Sequence, residues 1–304
     1  MTEKICFDRN SVSSVHDFQV KGTFRIFTET FLSDLLIDNE CQCEGEPVNP
    51  VLPLELVFVI DGSDSFNQGV RNQRGLIEKE ASFKYTCEWV ANFVKSINPS
   101  HYPAVVVSVF QFSGQKSHEA RYKPGSGGLA STSIDGVKDW HYKTILKPTL
   151  LRPNMSTVNL VDTIKKQEQL DSNCQLFLCL QDLGMSNFLA QMDQAVPREL
   201  GATAVERAMI ILTNGNNWDL NTLKRWDEPT VVTDKARVAA LLSKSYNNVV
   251  PICVQDEPLD PEAKQFVSSK LSKPRNTGIV VENNKFFEQL AAAKTALLQR
   301  LKLN

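Results

Sequence analysis

One run of residues limits this chain more than any other: Leu54-Glu-Leu-Val-Phe-Val-Ile-Asp61-Gly-Ser63-Asp-Ser65, an apolar stretch broken only by Glu55 that ends in an acid and two hydroxyls. Leu54 to Ile60 has the length of a strand buried on both faces, as in a parallel sheet covered by helices. In such sheets ligand sites lie beyond the carboxyl ends of the strands. Asp61, Ser63 and Ser65 therefore fall where an α/β domain does its work. A carboxylate and two hydroxyls at alternate positions make a hard-oxygen set suited to Mg²⁺. The same residues in an ordinary turn hydrogen-bond the backbone that ends the strand, so the rest of the chain must decide between the two.

Strand and helix patterns alternate from residue 54 onward. Ile77, Ala81, Tyr85, Trp89, Phe93 and Ile97 recur every four residues and predict a helix over 77–97, stopped by Asn98-Pro-Ser. Ala104 to Phe112 reads as a second buried strand, completing a right-handed βαβ unit. The irregular stretch from Ser113 to Thr149 holds an edge strand at His141-Tyr-Lys-Thr-Ile-Leu. Ser156 is a plausible N-cap for a helix running to Leu170, with further helices over 175–182 and 187–196. Then come a strand from Glu206 to Thr213, a helix from Asp234 to Ser245 and a strand from Val249 to Val254. Asp260-Pro-Glu starts another helix with Pro in its first turn. A short strand at Gly278–Glu282 and a closing helix from Phe286 to Leu301 follow, with Phe287, Leu290, Ala291, Leu297 and Leu301 inward. The expected architecture is a doubly wound, mostly parallel α/β sheet flanked by helices over residues 54–304. Residues 1–53 form a small N-terminal extension, with strand-like Asp17–Phe27, helix-like Thr28–Ile37 and an acidic, Pro-bearing linker from Asn39.

Composition narrows the function. A net charge of −2 gives no electrostatic reason to expect nucleic acid or an anionic membrane surface. No apolar stretch approaches the roughly 20 residues that span a bilayer. The first ten residues lack the apolar core of a secretory signal. The seven cysteines are odd in number, and Cys87, Cys179 and Cys253 lie in apolar segments. They read as buried free thiols of a reducing compartment, so a cytoplasmic location is expected.

Three landmarks now stand in order: the buried strand ending in Asp61-Gly-Ser-Asp-Ser, the strand Arg207-Ala-Met-Ile-Ile-Leu-Thr-Asn-Gly, and the tail of Val-Pro-Ile-Cys-Val, Asp260-Pro-Glu, Gly278-Ile-Val-Val and Phe286-Phe-Glu-Gln-Leu. In these the chain resembles the von Willebrand factor A (vWA) family. The resemblance implies a metal-ion-dependent adhesion site built from three loops. Its first loop is matched by Asp61, Ser63 and Ser65. At the third, Asn214 stands where the family has an aspartate, keeping an oxygen but losing the charge. The second loop departs from the family's Gly-Gly-Thr signature. One alignment uses Ser172-Asn173-Cys174, which puts a thiol where a hard ligand belongs; the other uses Gly184-Met-Ser186-Asn187 and restores a hydroxyl with Ser186.

Catalytic sets are not evident. There is no Gly-x-Gly-x-x-Gly, no Walker lysine loop and no Gly-x-Ser-x-Gly elbow. His118 and His141 have no evident nucleophile partner, while Trp218 and Trp226 follow Asn214 in the pattern of a protein-contact loop. The resemblance implies a non-catalytic protein-interaction module that binds an acidic residue of a protein partner through Mg²⁺. The alternative is a structural or assembly subunit with a degenerate site, self-associating through its N-terminal arm.

Overall fold

The computed structural model describes residues 51–63, 66, 70–71, 77–78, 82–113, 142–170, 176–200, 204–214, 235–255 and 265–304. All of them belong to the unit Val51–Asn304. The N-terminal extension, residues 114–141, and the expected helix start at Asp260 lie outside the described residues.

After β1 (Leu54–Asp61) the chain makes a small antiparallel ribbon of β2 (Val70–Arg71) and β3 (Ile77–Glu78). Next come α1 (Ser82–Ser96), β4 (Val105–Phe112), β5 (Tyr142–Leu151) and α2 (Val158–Lys165). The helices α3 (Leu176–Leu183) and α4 (Ser186–Asp193) lead to β6 (Glu206–Thr213). The chain closes with α5 (Lys235–Ser245), β7 (Asn248–Gln255), β8 (Ile279–Glu282) and α6 (Phe286–Arg300). Six strands form one sheet in the order β5-β4-β1-β6-β7-β8, all parallel except the antiparallel edge strand β5. This is a mixed, mostly parallel α/β sheet. No helix among the described residues is long and apolar enough to cross a membrane.

β1 is buried along its whole length because both its edges and both its faces are covered. Leu54, Leu56, Phe58 and Ile60 face one core with Phe83, Val90, Phe93 and Val94 of α1, Val161 and Ile164 of α2, and Leu290 and Leu297 of α6. Phe58 meets Phe93 edge-on at 5.2 Å, a favoured aromatic geometry. The indole N–H of Trp89 donates to the Leu290 carbonyl at 2.7 Å, tying α1 to α6. Val57 and Val59 face the opposite core with Leu176, Leu180, Phe188, Met192, Val238 and Leu242 of α3, α4 and α5. Period-two alternation along β1 thus separates the two helical layers.

The structure corrects several expected boundaries. α1 starts at Ser82 rather than 77, because Ile77 pairs with Arg71 in the ribbon instead of turning into the helix. β5 runs on to Leu151, since Val105 and Val106 continue the ladder with Leu151 and Leu150. Pro148 is tolerated there because it lies on an edge strand, where the register slips between Val107 and Val109. α2 ends at Lys165, not Leu170, for a reason that bears on the site below. In α6 the inward alanine is Ala293; Ala291 is exposed.

Glu55 is the polar exception in β1. It lies opposite Arg207 in the β1/β6 register and accepts from the Arg207 Nε at 2.7 Å, while the guanidinium also binds Asp193 of α4. Its second oxygen has no hydrogen-bond partner among the described residues. Burial outweighs the attraction of Arg207 and pushes the Glu55 carboxyl up to about 7. A folded-state pKa above the unfolded value of 4.5 means that the native state holds the extra proton between about pH 4.5 and 7. Stability from this group is therefore greatest below that window and falls as pH rises through it. We expect urea unfolding of the wild type to lose on the order of 2 kcal/mol between pH 5 and 8 relative to Glu55→Gln. Parallel pH profiles for the two proteins would show the shift misassigned.

Candidate functional site

β1 and β6 end side by side, with Ile60 opposite Leu212 and the next residues, Asp61 and Thr213, at the carboxyl edge. Asp61 shares its side of β1 with Val57 and Val59, and is fully buried. One carboxylate oxygen accepts from the Ser63 backbone N–H at 3.0 Å and from the Ser63 hydroxyl at 2.6 Å. The other accepts from the Thr213 hydroxyl at 2.7 Å, and the Asn214 backbone N–H also bonds the carboxylate. Burial pushes Asp61 up to about 6, against the pull of the hydrogen bonds from Ser63, Thr213 and Asn214. The group is thus ionised at neutral pH, although it has no charged partner within this set of bonds.

The turn after β1 is fixed from three directions. The Gly62 N–H donates to the Phe112 carbonyl at 2.8 Å, holding the turn to the end of β4. A Cβ on Gly62 would lie 2.6 Å from Gln111 Cγ, so only glycine lets β1 pass so close to that side chain. The Phe66 N–H closes back on the Ser63 carbonyl at 3.0 Å, and the Ser82 hydroxyl at the start of α1 donates to the Phe66 carbonyl. The Ser63 carbonyl also accepts from Gln169 Nε2 at 2.7 Å. That last bond comes from the segment after α2, which leaves the helix after Lys165 to cross the strand ends instead of extending the helix.

The predicted site residues separate clearly. Asp61 and Ser63 are joined, and Asn214 stands beside them, half-buried, through its backbone. Ser65, Cys174, Trp218 and Trp226 lie outside the described residues. Ser186 is not brought to Asp61. α3 runs antiparallel to the strands, so its far end lies at their amino ends: the Leu183 carbonyl accepts from the Tyr246 hydroxyl at 2.6 Å and the Gly184 carbonyl from the Ser245 hydroxyl at 2.9 Å, just ahead of β7. Exposed Ser186 begins α4 beyond that turn, toward the opposite ends of the strands from Asp61. Residues 172–174 of the other alignment lie outside the described residues; Gln169, shortly before them, donates to the Ser63 carbonyl.

Thr213 is a site residue that the pattern reading passed over, although it stands one residue beyond the last β1/β6 pair, as Asp61 does. Gln111 is another: a polar side chain, fully buried, inside the apolar strand Val105–Phe112.

In kind, the donor set fits a hard dication. It offers a carboxylate, two hydroxyls and an amide-bearing neighbour, with no sulfur among its described members. A hydroxyl that gives its single proton to a carboxylate turns acceptor lone pairs in its other directions, the polarity a cation needs. The charge is thin: among the described residues no three His, Cys, Asp or Glu gather as a metal group.

No protein-family model and no curated protein matches the sequence. Solved structures do resemble the fold. The pilus adhesin SpaC from Lactobacillus rhamnosus GG, in its open conformation, aligns with a TM-score of 0.52 at 13% identity, over 83% of this chain and 31% of the adhesin. The PilB minor pilin from Streptococcus sanguinis aligns at 0.49 and 13% identity, over 85% of this chain and 63% of the pilin. Proximal thread matrix protein 1 from the mussel byssus aligns at 0.45 and 14% identity, over 81% of this chain and 46% of that protein. The chain thus spans less than two thirds of each, and at such identity the SpaC likeness speaks for the α/β fold alone.

Thr213→Val removes one donor from a buried carboxylate and should cost about 1–3 kcal/mol in urea unfolding. Losing that donor raises the folded-state pKa of Asp61 further above about 6. Below that pH both proteins fold with Asp61 neutral; above it only the wild type still has the Thr213 bond to steady the charge. The penalty should therefore be larger at pH 8 than at pH 5, and a penalty independent of pH would contradict this reading of Asp61.

Proposed function

We propose that residues 51–304 form a doubly wound vWA-type domain and act as a non-catalytic protein-interaction module. In this reading Asp61, Ser63, Ser65 and Asn214 hold Mg²⁺ at the strand ends, directly or through water. The observation that carries it is the buried Asp61 carboxylate gripping the Ser63 hydroxyl at 2.6 Å and the Thr213 hydroxyl at 2.7 Å. When bound, the dication supplies a positive charge with a coordination position for a carboxylate of the partner, an attraction that water would otherwise screen. Asp61 orients the hydroxyls, and the Gly62 turn keeps them at the end of β1. Thr213 joins the residues expected from the sequence. Cys87, Cys179 and Cys253 are buried in the two cores, as expected of the reducing, cytoplasmic setting in this reading. A fold of this kind is also carried by a pilus adhesin, which is consistent with a contact-making role.

A second reading has its own support. Asp61 takes its donors from the protein itself, and Asp61 and Ser63 are 0% and 1% exposed. A turn so fully satisfied also suits an assembly subunit with a degenerate site, whose N-terminal arm makes the inter-subunit contacts. Deleting residues 1–45 discriminates the two: loss of assembly with the fold intact favours the subunit, and Mg²⁺-dependent partner binding that survives favours the module.

Calorimetric titration of EDTA-stripped protein with Mg²⁺ and Mn²⁺ should give saturable binding that is abolished in Asp61→Ala, with the far-ultraviolet circular dichroism unchanged. No heat of binding up to millimolar metal would overturn the cation reading.

A further inference from the structure

The segment that follows α2 lies across the carboxyl ends of β1 and β4, held by two glutamines that neither pattern nor resemblance singled out. Gln111 is fully buried one residue before the end of β4, on the face that packs against α1 and α2. With its amide oriented by its partners, it donates to the Glu168 carbonyl at 3.1 Å and accepts from the Leu170 N–H at 2.9 Å. In a helix continued to Leu170, the Leu170 N–H would bond the Lys166 carbonyl and the Glu168 carbonyl would be an unpaired end group; Gln111 gives both a partner. Gln169, between them and half-buried, reaches the other way and donates to the Ser63 carbonyl at 2.7 Å. The two glutamines therefore cross: one from the sheet grips the segment, the other from the segment grips the turn that carries Ser63. Gly62 leaves room for this arrangement, since a Cβ there would lie 2.6 Å from Gln111 Cγ.

We propose that Gln111 and Gln169 are a clasp that positions Ser63 for the cation. The inference rests on the cation reading above. Neither side chain meets Asp61 through the bonds described here. Their action is to fix the Ser63 carbonyl and the segment beside it, so that the hydroxyl stays on Asp61 rather than rotating with a loose turn. Groups that orient metal-holding residues in this way commonly contribute about 10–100-fold to metal affinity.

Methionine is the suitable replacement at both positions, because it keeps the length and the unbranched shape while removing donor and acceptor. In the full chain, Gln169→Met should weaken Mn²⁺ binding about tenfold or more, with little change in unfolding free energy, since that side chain is half exposed. Gln111→Met should weaken Mn²⁺ binding likewise and, in metal-free protein, should also speed hydrogen exchange of the Leu170 amide, which loses its acceptor. Wild-type Mn²⁺ affinity in Gln169→Met, in a protein whose wild type binds the ion, overturns the clasp and leaves the cation reading standing. Unchanged Leu170 exchange in Gln111→Met overturns the clasp whatever the metal does. A wild type that binds no Mn²⁺ overturns the cation reading, and the clasp's role toward the ion falls with it.

Discussion

The hydrogen bonds that hold a buried carboxylate at the end of the central strand are the constraint to which the rest of the structure conforms. Asp61 lies in a strand covered on both edges and both faces, where an ionised group without partners would be costly. Its donors come from the turn that follows it and from the neighbouring strand: Ser63 at 3.0 and 2.6 Å, Thr213 at 2.7 Å, and the Asn214 backbone. Those bonds require β1 and β6 to end in register, which the pairing from Leu54–Glu206 through Ile60–Leu212 provides. They also require a turn tight enough to bring Ser63 back onto Asp61, and hence Gly62 against Gln111.

Much of the sheet can be read in the sequence because its strands are long apolar runs with abrupt polar ends. Leu54–Asp61, Val105–Phe112 and Glu206–Thr213 need no tertiary information to be seen. Helix ends are harder, because they are settled by competing partners. The four-residue recurrence starting at Ile77 is real, yet Ile77 finds a strand partner in Arg71 and the helix waits until Ser82. The pattern after Ser156 points to a helix reaching Leu170, yet Gln111 captures Glu168 and Leu170 and the helix stops at Lys165.

The site was legible in the same partial way. Asp61 and Ser63 announce themselves at the end of a buried strand, and Asn214 at the end of another. Thr213 becomes visible only when the two strands are set in register. The choice between the Ser186 and Cys174 alignments could not be made from residue types, because both have small polar side chains near a helix end. Direction bears on the first of them: α3 carries the chain away from Asp61, so Ser186 lies toward the amino ends of the strands, while Cys174 lies outside the described residues. β1 thus carries two buried acids on one side, Glu55 answered by an arginine and Asp61 answered by hydroxyls and amides. The first arrangement neutralises a charge within the protein. The second holds its charge on neutral donors, and it is there that the proposed cation would act.

That difference can be measured most directly by diffraction from crystals of the full chain grown with Mn²⁺, using the anomalous signal of the ion. A single strong peak beside Asp61 and Ser63 is the result this account predicts. Well-ordered crystals with manganese bound elsewhere, or with no peak at the carboxyl ends of β1 and β6, would contradict it and leave Asp61 as the hydrogen-bonded end of a strand.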